Sequence, residues 1–277
     1  MKTSQFSWKP DLVRMLHSAR KAAAISGQCS GAFKNKLLLE IATEITKQTK
    51  KLIRENQKDL RRAFKSGLSS AMIDRLTLNE RRIQNIAEGV RAVAHLKDPI
   101  GKVLAKWRRP NGLKLQKVTV PLGVIFIIYE SRPNVTVECA ALCLKSSNAV
   151  ILRGGREAYA SNRAFVGIFQ TVFKRHGLST AWVNLVRTAD YAAVDFLLQC
   201  EGQIDLVIPR GGEKLIRRVV QKSRIPVVKH YQGICHVYID RSADLKKAVP
   251  ITLNAKLQRP GVCNAMETLL VHKDVAA

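Results

Sequence analysis

One cysteine near the end of the chain lies in a setting that could make its thiol reactive. Cys263 belongs to the loop Gln258-Arg-Pro-Gly-Val-Cys263, and the apolar run Thr268–Val271 that follows is typical of a buried strand. A free thiol ionises near about pH 8.5, and a neighbouring cation such as Arg259 raises the thiolate fraction. The alternative is a small buried hydrophobe, the usual role of a lone cysteine.

Two near-identical turns could bind an anion. Residues 150–155 read Val-Ile-Leu-Arg-Gly-Gly, and residues 206–212 read Leu-Val-Ile-Pro-Arg-Gly-Gly. In both, an apolar run passes through Arg-Gly-Gly into a helical pattern. Glycine lets the backbone approach a ligand closely, and a helix N-terminus favours anions. Neither turn is a GxGxxG fingerprint, and tight turns alone would explain the glycines equally well.

A third candidate group follows another apolar run. Residues 129–136 read Tyr-Glu-Ser-Arg-Pro-Asn-Val-Thr, between the strand-like segment Gly123–Ile128 and a helical pattern. An amide placed there can donate to an oxyanion, a contact commonly worth roughly 3 kcal/mol in a preorganised site. Asn134 could equally cap the helix that follows, and the two roles do not exclude each other.

The segments around these candidates alternate between strand and helix patterns. From Pro121 onward this alternation predicts a parallel sheet covered by helices, with right-handed crossovers. The predicted strands are 123–128, 149–152, 182–186, 204–208, 226–229, 235–239 and 268–271, and the predicted helices are 136–145, 157–175, 191–200, 212–222 and 245–256. Such sheets bind ligands at the carboxyl ends of their strands, where both Arg-Gly-Gly turns fall.

The part of the chain before Pro121 predicts a scaffold. Residues 11–93 show amphipathic helix stripes, for example at Leu37, Leu38, Ile41, Ala42 and Ile45. Extended runs at 103–108 and 113–120 then flank Pro-Asn-Gly, and Asn-Gly between such runs is a strong hairpin signal. A surface hairpin is therefore expected at residues 103–120.

Taken together, these motifs resemble one protein family. Residues 258–272, which contain Cys263, resemble the nucleophile segment of the gamma-glutamyl phosphate reductases (glutamate-5-semialdehyde dehydrogenases), the proline-biosynthesis branch of the aldehyde dehydrogenase superfamily. Further matches occur in the same order at residues 74–76, 121–124, 129–136, 148–155, 208–212 and 233–240. The resemblance covers the chain from about Ala71 to its last residue.

The resemblance implies an α/β, aldehyde-dehydrogenase-like fold. It implies a Rossmann-type parallel sheet with N-terminal helices, an oligomerisation hairpin at residues 103–120 and an incomplete catalytic domain. Residues 1–230 would form the cofactor-binding domain and residues 231–277 the start of the catalytic domain, because family members continue further. The implied partners are a second copy of the chain, when full length, and glutamate 5-kinase.

The resemblance also implies a reaction, the NADPH-dependent reduction of L-glutamyl 5-phosphate to L-glutamate 5-semialdehyde and phosphate. Cys263 would be the nucleophile and Asn134 the oxyanion donor. Arg132 and Arg259 are expected to bind the anionic groups of the substrate, because a guanidinium fork suits phosphate and carboxylate. The expected cofactor-binding residues are Arg153, Gly154, Gly155, Glu157, Arg210, Gly211 and Gly212.

Three positions depart from the family pattern. Phe126 and Ser147 stand where a small residue and a glycine are expected, and Gln232 replaces a residue that is often acidic. We expect the packing around Phe126 and Ser147 to accommodate both residues. An alternative to the active enzyme is an inactive remnant that retains only nucleotide binding.

The amino-acid composition argues against several other classes of protein. The chain has 277 residues, 46% hydrophobic and 25% charged, which is typical of a globular protein with a substantial core. The longest apolar run, Val120–Tyr129, is too short to cross a bilayer. Charges interrupt the first 25 residues before a secretory signal can form, so we expect a cytoplasmic protein. The six cysteines lack disulfide or metal-ligand spacing, which fits a reducing compartment and predicts no metal.

The charge is strongly positive. There are 47 Lys and Arg residues against 21 Asp and Glu, a net charge of +26. Such a field attracts polyanions, so a nucleic-acid-binding protein is a further alternative. It is less favoured because the cations are spread along the chain, without interleaved aromatic residues or a recognition motif. They indicate solvated faces, or a basic cleft for a phosphorylated substrate and cofactor.

Overall fold

A computed structural model describes residues 7–229, 233–260, 262 and 264–276. The chain divides into two compact units, Met1–Lys229 and His230–Ala277. Among the described residues, no helix combines the length and the apolar character needed to cross a membrane.

The first unit opens with helices, as the apolar stripes predict. They are α1 (Lys9–Ser26), α2 (Gly31–Lys47), α3 (Thr49–Lys65), α4 (Ser70–Leu76) and α5 (Glu80–His95). Ser30, Ser69 and Asn79 cap α2, α4 and α5, because each side-chain oxygen accepts a backbone N–H of the first turn. The α2 stripe is fully buried, which confirms the helical reading of this region.

The predicted hairpin is present. Strands β1 (Val103–Arg108) and β2 (Lys114–Val118) pair antiparallel. Gly112 has a φ of 87° at the turn, whereas Asn111 keeps a negative φ and its Oδ1 accepts a hydrogen bond from the Leu113 N–H. Both strands are largely exposed, and an isolated two-stranded ribbon is marginally stable in water. The role of this hairpin in oligomerisation stays a prediction.

A parallel sheet forms the centre of the first unit. Its strands are β3 (Val124–Tyr129), β4 (Ala149–Arg153), β5 (Val183–Leu185) and β6 (Leu206–Arg210), in the order β5-β4-β3-β6. All pairs are parallel, and the order reverses between β3 and β6, as at the switch point of a doubly wound sheet. Strands β3 and β4 are completely buried. Phe126, which stands where the family pattern has a small residue, is packed in this core with no exposed surface.

The predicted strand at 226–229 is wrong. Only Val227 pairs, in an isolated bridge with Val207 of β6. Within the segment Val227 alone packs against the core, whereas Val228 is exposed. The covering helices lie close to their predicted positions. They are α6 (Pro133–Lys145), α7 (Tyr159–Arg175), α8 (Tyr191–Leu197) and α9 (Glu213–Lys222).

The loop between α6 and β4 explains the unusual Ser147. Its φ is 55°, a left-handed conformation that favours glycine. The Ser147 hydroxyl accepts a hydrogen bond from the buried Lys34 ammonium at 2.8 Å, and the Ser147 carbonyl accepts one from the Ser26 hydroxyl at 2.6 Å. Lys34 also pairs with Asp98 at 2.9 Å. These bonds hold a serine where the family pattern has glycine.

The second unit is a short strand-helix-strand arrangement. Strands β7 (His236–Ile239) and β8 (Thr268–Val271) pair in parallel, and α10 (Leu245–Leu257) connects them. Asp244 caps α10, because its Oδ1 accepts the Lys246 N–H. The predicted strands and helix of this unit are present. The predicted burial of residues 268–271 is wrong, because Leu269, Leu270 and Val271 are exposed in this short two-stranded sheet.

Candidate active site

The sheet brings the two Arg-Gly-Gly turns to opposite sides of one loop. In the register of β3 with its neighbours, Ile128 pairs with Arg153 of β4 and Tyr129 with Arg210 of β6. The turns after β4 and β6 therefore flank residues 130–134, which follow β3. All the predicted site residues of the first unit thus lie along the carboxyl edge of the sheet, where ligands of parallel sheets bind.

The first turn packs tightly against protein atoms. A Cβ on Gly154 would overlap the Asn162 amide and lie 2.9 Å from the Tyr129 ring, and a Cβ on Gly155 would overlap the Ser131 hydroxyl. Real Cβ atoms do not approach other atoms so closely, so close packing within the protein already requires both glycines. This favours the tight-turn explanation for the first turn.

Glu157 is held in place just after the first turn. Ser131 Oγ donates to Glu157 Oε2 at 2.6 Å, and Arg156 Nε lies 3.3 Å from Glu157 Oε1. Partial burial alone would raise the pKa of Glu157. The hydrogen bonds from Ser131, its own backbone N–H and Arg156 outweigh burial, so the pKa of Glu157 lies below its ordinary value. A charged carboxylate therefore stands at this end of the predicted cofactor site.

Arg153 lies under an aromatic ring. Its guanidinium is 4.8 Å from the Tyr191 ring centroid, and that of Arg218 is 5.1 Å from the same centroid. Arg153 Nη2 donates to the Ala189 carbonyl, whereas its buried Nε has no hydrogen-bond partner among the described residues. Arg153 is mostly buried and fixes the loop before α8, so its contacts explain its position without a ligand.

The second turn already holds an anionic group. The Gly212 N–H, at the start of α9, donates to Glu130 Oε1 at 2.7 Å. A Cβ on Gly211 would lie 2.9 Å from Leu215 and 3.0 Å from Glu130, whereas a Cβ on Gly212 would meet only Glu130, at 3.6 Å. This helix N-terminus therefore accepts a carboxylate and has space around it, as an anion site requires.

Asn134 does not cap α6. The N-cap residue is Arg132, and Pro133 takes the first helical position. Asn134 Nδ2 instead donates to Glu138 Oε1 at 2.9 Å, one helical turn further along. The amide is half-buried and its donor group contacts a replaceable partner near the surface. The Arg132 side chain has no hydrogen-bond partner among the residues that the structure describes.

A buried hydrogen-bond chain sets the start of α6. Tyr129 Oη lies 2.7 Å from Thr136 Oγ1, which donates to Asn162 Oδ1 at 2.8 Å. Burial raises the pKa of Tyr129 far above its ordinary value, so the phenol stays protonated. The chain ties β3, α6 and α7 together directly beneath the first turn.

The segment that is predicted to carry the nucleophile belongs to the second unit. Cys263 itself lies outside the described residues, and Arg259 is exposed. The residues around it are anchored to α10, because the Met266 N–H donates to the Ala255 carbonyl at 2.9 Å and Lys256 Nζ donates to the Met266 carbonyl at 3.1 Å. Met266 is buried. Met266 is thus attached to the C-terminal part of α10.

Burial makes four further cysteines unlike a reactive thiol. Burial raises the pKa of Cys29, Cys143 and Cys200, and it raises the pKa of Cys139 to about 12. Cys143 is buried, and Cys139 packs against the core, so both side chains serve core packing. At neutral pH these thiols stay protonated and are poor nucleophiles.

Sequence reasoning missed several residues of this edge. Glu130, Ser131 and Tyr191 contact the two turns, and none of them was singled out. The signal for Glu130 and Ser131 was their position directly after the predicted strand, between the two turns in the sheet. Tyr191 gave no comparable signal, because its contact with Arg153 depends on how the loop before α8 folds.

Comparison with known proteins agrees with this architecture. The sequence pattern of the aldehyde dehydrogenase family matches residues 7–277. A gamma-glutamyl phosphate reductase of Geobacter sp. (strain M21) is 51% identical over 258 residues, which are 93% of this chain and 62% of that protein. The chain therefore spans about 62% of the length of the curated relatives it matches.

Two solved structures extend the comparison. The crystal structure of gamma-glutamyl phosphate reductase from Thermotoga maritima has a TM-score of 0.87 and 40% identity, covering 95% of this chain and 64% of that one. The enzyme of the same name from Saccharomyces cerevisiae has a TM-score of 0.74 and 35% identity, covering 100% and 66%. The resemblance and the aldehyde-dehydrogenase-like α/β fold predicted from sequence are confirmed. By its sequence pattern and its fold, this chain belongs to the aldehyde dehydrogenase family.

Proposed function

We propose that this chain carries the cofactor-binding region and the nucleophile segment of an enzyme that reduces L-glutamyl 5-phosphate with NADPH. The products are L-glutamate 5-semialdehyde and phosphate. The proposal is carried by 51% identity to gamma-glutamyl phosphate reductases over 93% of this chain. The meeting of both Arg-Gly-Gly turns beside the Asn134 loop supports it.

The second turn fits the phosphate groups of a nicotinamide cofactor. The Glu130 carboxylate on the Gly212 N–H is a stand-in for a phosphate at the α9 N-terminus. When bound, NADPH supplies a hydride. Gly211 and Gly212 would admit the cofactor phosphates, with Glu130 displaced. Arg210 completes the second turn of the proposed cofactor site, and Arg153, Gly154, Gly155 and Glu157 of the first turn support it from the neighbouring strand end.

The chain's own residues account for the acyl transfer. The Cys263 thiolate attacks the acyl carbon of the substrate, the carbon–oxygen bond to phosphate breaks, and phosphate leaves with the bonding electron pair. Asn134 exchanges Glu138 for the developing oxyanion and donates to it. Arg132 and Arg259 bind the phosphate and carboxylate of the substrate.

The resulting thioester is more electrophilic than a carboxylate. Its carbonyl accepts a hydride and becomes the alkoxide of a thiohemiacetal on Cys263. The alkoxide re-forms the carbonyl as the carbon–sulfur bond breaks, which releases the aldehyde and restores the thiolate. Arg259 raises the thiolate fraction through its positive charge, which favours both the first attack and the final departure.

The proposal has further parts that concern the whole enzyme. The cofactor is NADPH rather than NADH, the enzyme acts in the cytoplasm, and the β1–β2 hairpin joins copies into a homo-oligomer. Glutamate 5-kinase is the proposed supplier of the unstable acyl phosphate. The alternative, an inactive remnant that retains only nucleotide binding, is not favoured by the comparisons.

The reverse reaction tests the proposal. Phosphate-dependent reduction of NADP with glutamate semialdehyde should occur with the wild-type chain, disappear in Cys263→Ala, and persist in the matched control Cys235→Ala from the same unit. Titration with NADPH and NADH measures cofactor preference. Absence of turnover in all three proteins, with NADPH binding intact, would favour the remnant. Equal turnover in wild type and Cys263→Ala would refute the role of the thiol.

A further inference from the structure

A strongly basic cavity lies between α3 and the start of α7. Its volume is about 450 Å³, which is within the range of small-ligand sites. Five cationic side chains line it: Lys58, Arg61, Arg62, Lys65 and Arg163. None of the residues proposed for the cofactor contributes to its lining.

The cations outnumber the acids around this cavity. Lys58 pairs with Glu55 at 2.6 Å, and Arg62 pairs with Asp59 at 2.6 Å. Arg61, Lys65 and Arg163 have no carboxylate within 4.0 Å among the described residues. Three guanidinium or ammonium groups therefore remain available to an anion.

The neighbouring acids are fixed and cannot neutralise the cavity further. Asp59 is completely buried and accepts the Ala160 and Ser161 N–H groups and the Ser161 hydroxyl, at 2.7–3.0 Å. Hydrogen bonding from Lys58 is the main cause that lowers the pKa of Glu55, and the nearby cations Arg54 and Arg163 contribute. Both carboxylates are committed to their present partners, so neither pairs with Arg61, Lys65 or Arg163.

The spacing of the cations matches a compact ligand. Lys58, Arg61, Arg62 and Lys65 follow one face of α3 at helical spacing, and a helix rises about 1.5 Å per residue, so they span about 10 Å. A protein that binds duplex DNA contacts about six to ten phosphates and needs a wider footprint. No aromatic residue besides Tyr159 lines the cavity for base stacking.

From this we infer that the cavity between α3 and α7 is a binding site for a compact oligophosphate, such as a triphosphate group. Arg61, Lys65 and Arg163 contact its oxygens, because guanidinium forks and ammonium groups are the usual phosphate ligands. The site does not depend on the proposed reductase activity. A chain without turnover would still bind the oligophosphate.

Isothermal titration with inorganic tripolyphosphate at about 0.15 M salt, where long-range attraction is screened, tests the site. Arg61→Ala with Lys65→Ala should raise the Kd at least about 30-fold through loss of two charge-assisted contacts. The matched control is Lys50→Ala with Arg54→Ala, which removes the same two charges from exposed positions of α3 outside the cavity. Its Kd should change by less than about threefold. Circular dichroism confirms that both variants fold.

Three results would overturn the inference. Equal weakening by both double variants would mean diffuse attraction to the +26 charge rather than a site. Displacement of tripolyphosphate by saturating NADPH would assign the binding to the cofactor. Binding of a short single-stranded oligonucleotide without any binding of tripolyphosphate would indicate a nucleic-acid surface instead.

Discussion

Replacing Gly155 by alanine tests whether the first turn is held by packing. Gly155 has a φ of −58°, so alanine fits the backbone conformation. Its methyl group would overlap Ser131 Oγ, and the serine hydroxyl must then leave Glu157. Loss of that charge-assisted hydrogen bond costs about 1.5–3 kcal/mol, and overpacking adds about 1–3 kcal/mol. Alanine also restricts the unfolded chain more than glycine does, and this offsets about 0.5–1 kcal/mol of the loss. The net loss in free energy of unfolding is about 3 kcal/mol.

Thermal and urea denaturation followed by circular dichroism measure this loss. A decrease of about 3 kcal/mol corresponds to a Tm lower by about 6–12 °C for a unit of this size. Gly89→Ala is the matched control, because Gly89 lies in α5 with open space around it. Alanine at that position should increase stability by about 0.5–1 kcal/mol.

A double-mutant cycle with Ser131→Ala isolates the cause. Removing the serine hydroxyl creates room for the added methyl group, so Gly155→Ala should cost about 2 kcal/mol less in the Ser131→Ala background. If the two changes add within about 0.5 kcal/mol, the overlap with Ser131 is not what constrains the turn. A Gly155→Ala variant as stable as wild type would refute the packing explanation altogether.

Four further outcomes follow from the contacts described above. Asp59→Ala should lower the free energy of unfolding by about 3 kcal/mol in urea denaturation, because two α7 N–H groups lose their acceptor. Since the pKa of Glu157 is lowered, its contribution to stability is complete above its unfolded pKa of about 4.3 and is lost as the pH falls through the lower folded pKa. In urea denaturation at a series of pH values, Glu157→Gln should therefore reduce the fall in the free energy of unfolding at acid pH. Ser147→Ala should be less stable than Ser147→Gly by about 1 kcal/mol, because both lose the Lys34 hydrogen bond and only glycine relieves the left-handed strain. Gly212→Ala should lower stability by no more than about 1 kcal/mol, while NADPH titration should show about tenfold weaker binding, since its methyl group would narrow the open side of the α9 N-terminus.

Local signals were sufficient for most of the fold. Continuous apolar runs predict β3 and β4 because both are buried on every side, and Asn111-Gly112 predicts the hairpin because only a few residues suit its turn. The prediction of a strand at residues 226–229 failed for a physical reason. A short apolar run does not by itself distinguish a paired strand from a connecting segment, and here Val227 alone packs against the core while Val228 is exposed.

The candidate site was only partly predictable. The positions of the turns followed from the rule that parallel sheets bind ligands at the carboxyl ends of strands. Their partners did not, because the contact of Glu130 with Gly212 spans 82 positions in the sequence and depends on β6 pairing with β3. Strand order is set by packing of the whole sheet, and no local pattern in the chain specifies it.

The two Arg-Gly-Gly turns look alike in sequence and differ in structure. At the first turn, protein atoms fill the space beside Gly154 and Gly155, so their glycines serve the packing of β4 against β3 and α7. At the second turn, Gly212 faces an exchangeable carboxylate across an ordinary contact distance, at a helix N-terminus. A repeated motif therefore does not imply a repeated role. Because Gly212 combines free space with a donor for an anion, the second turn carries the stronger case for the proposed contact with cofactor phosphates, and the contacts of the first turn are mainly structural.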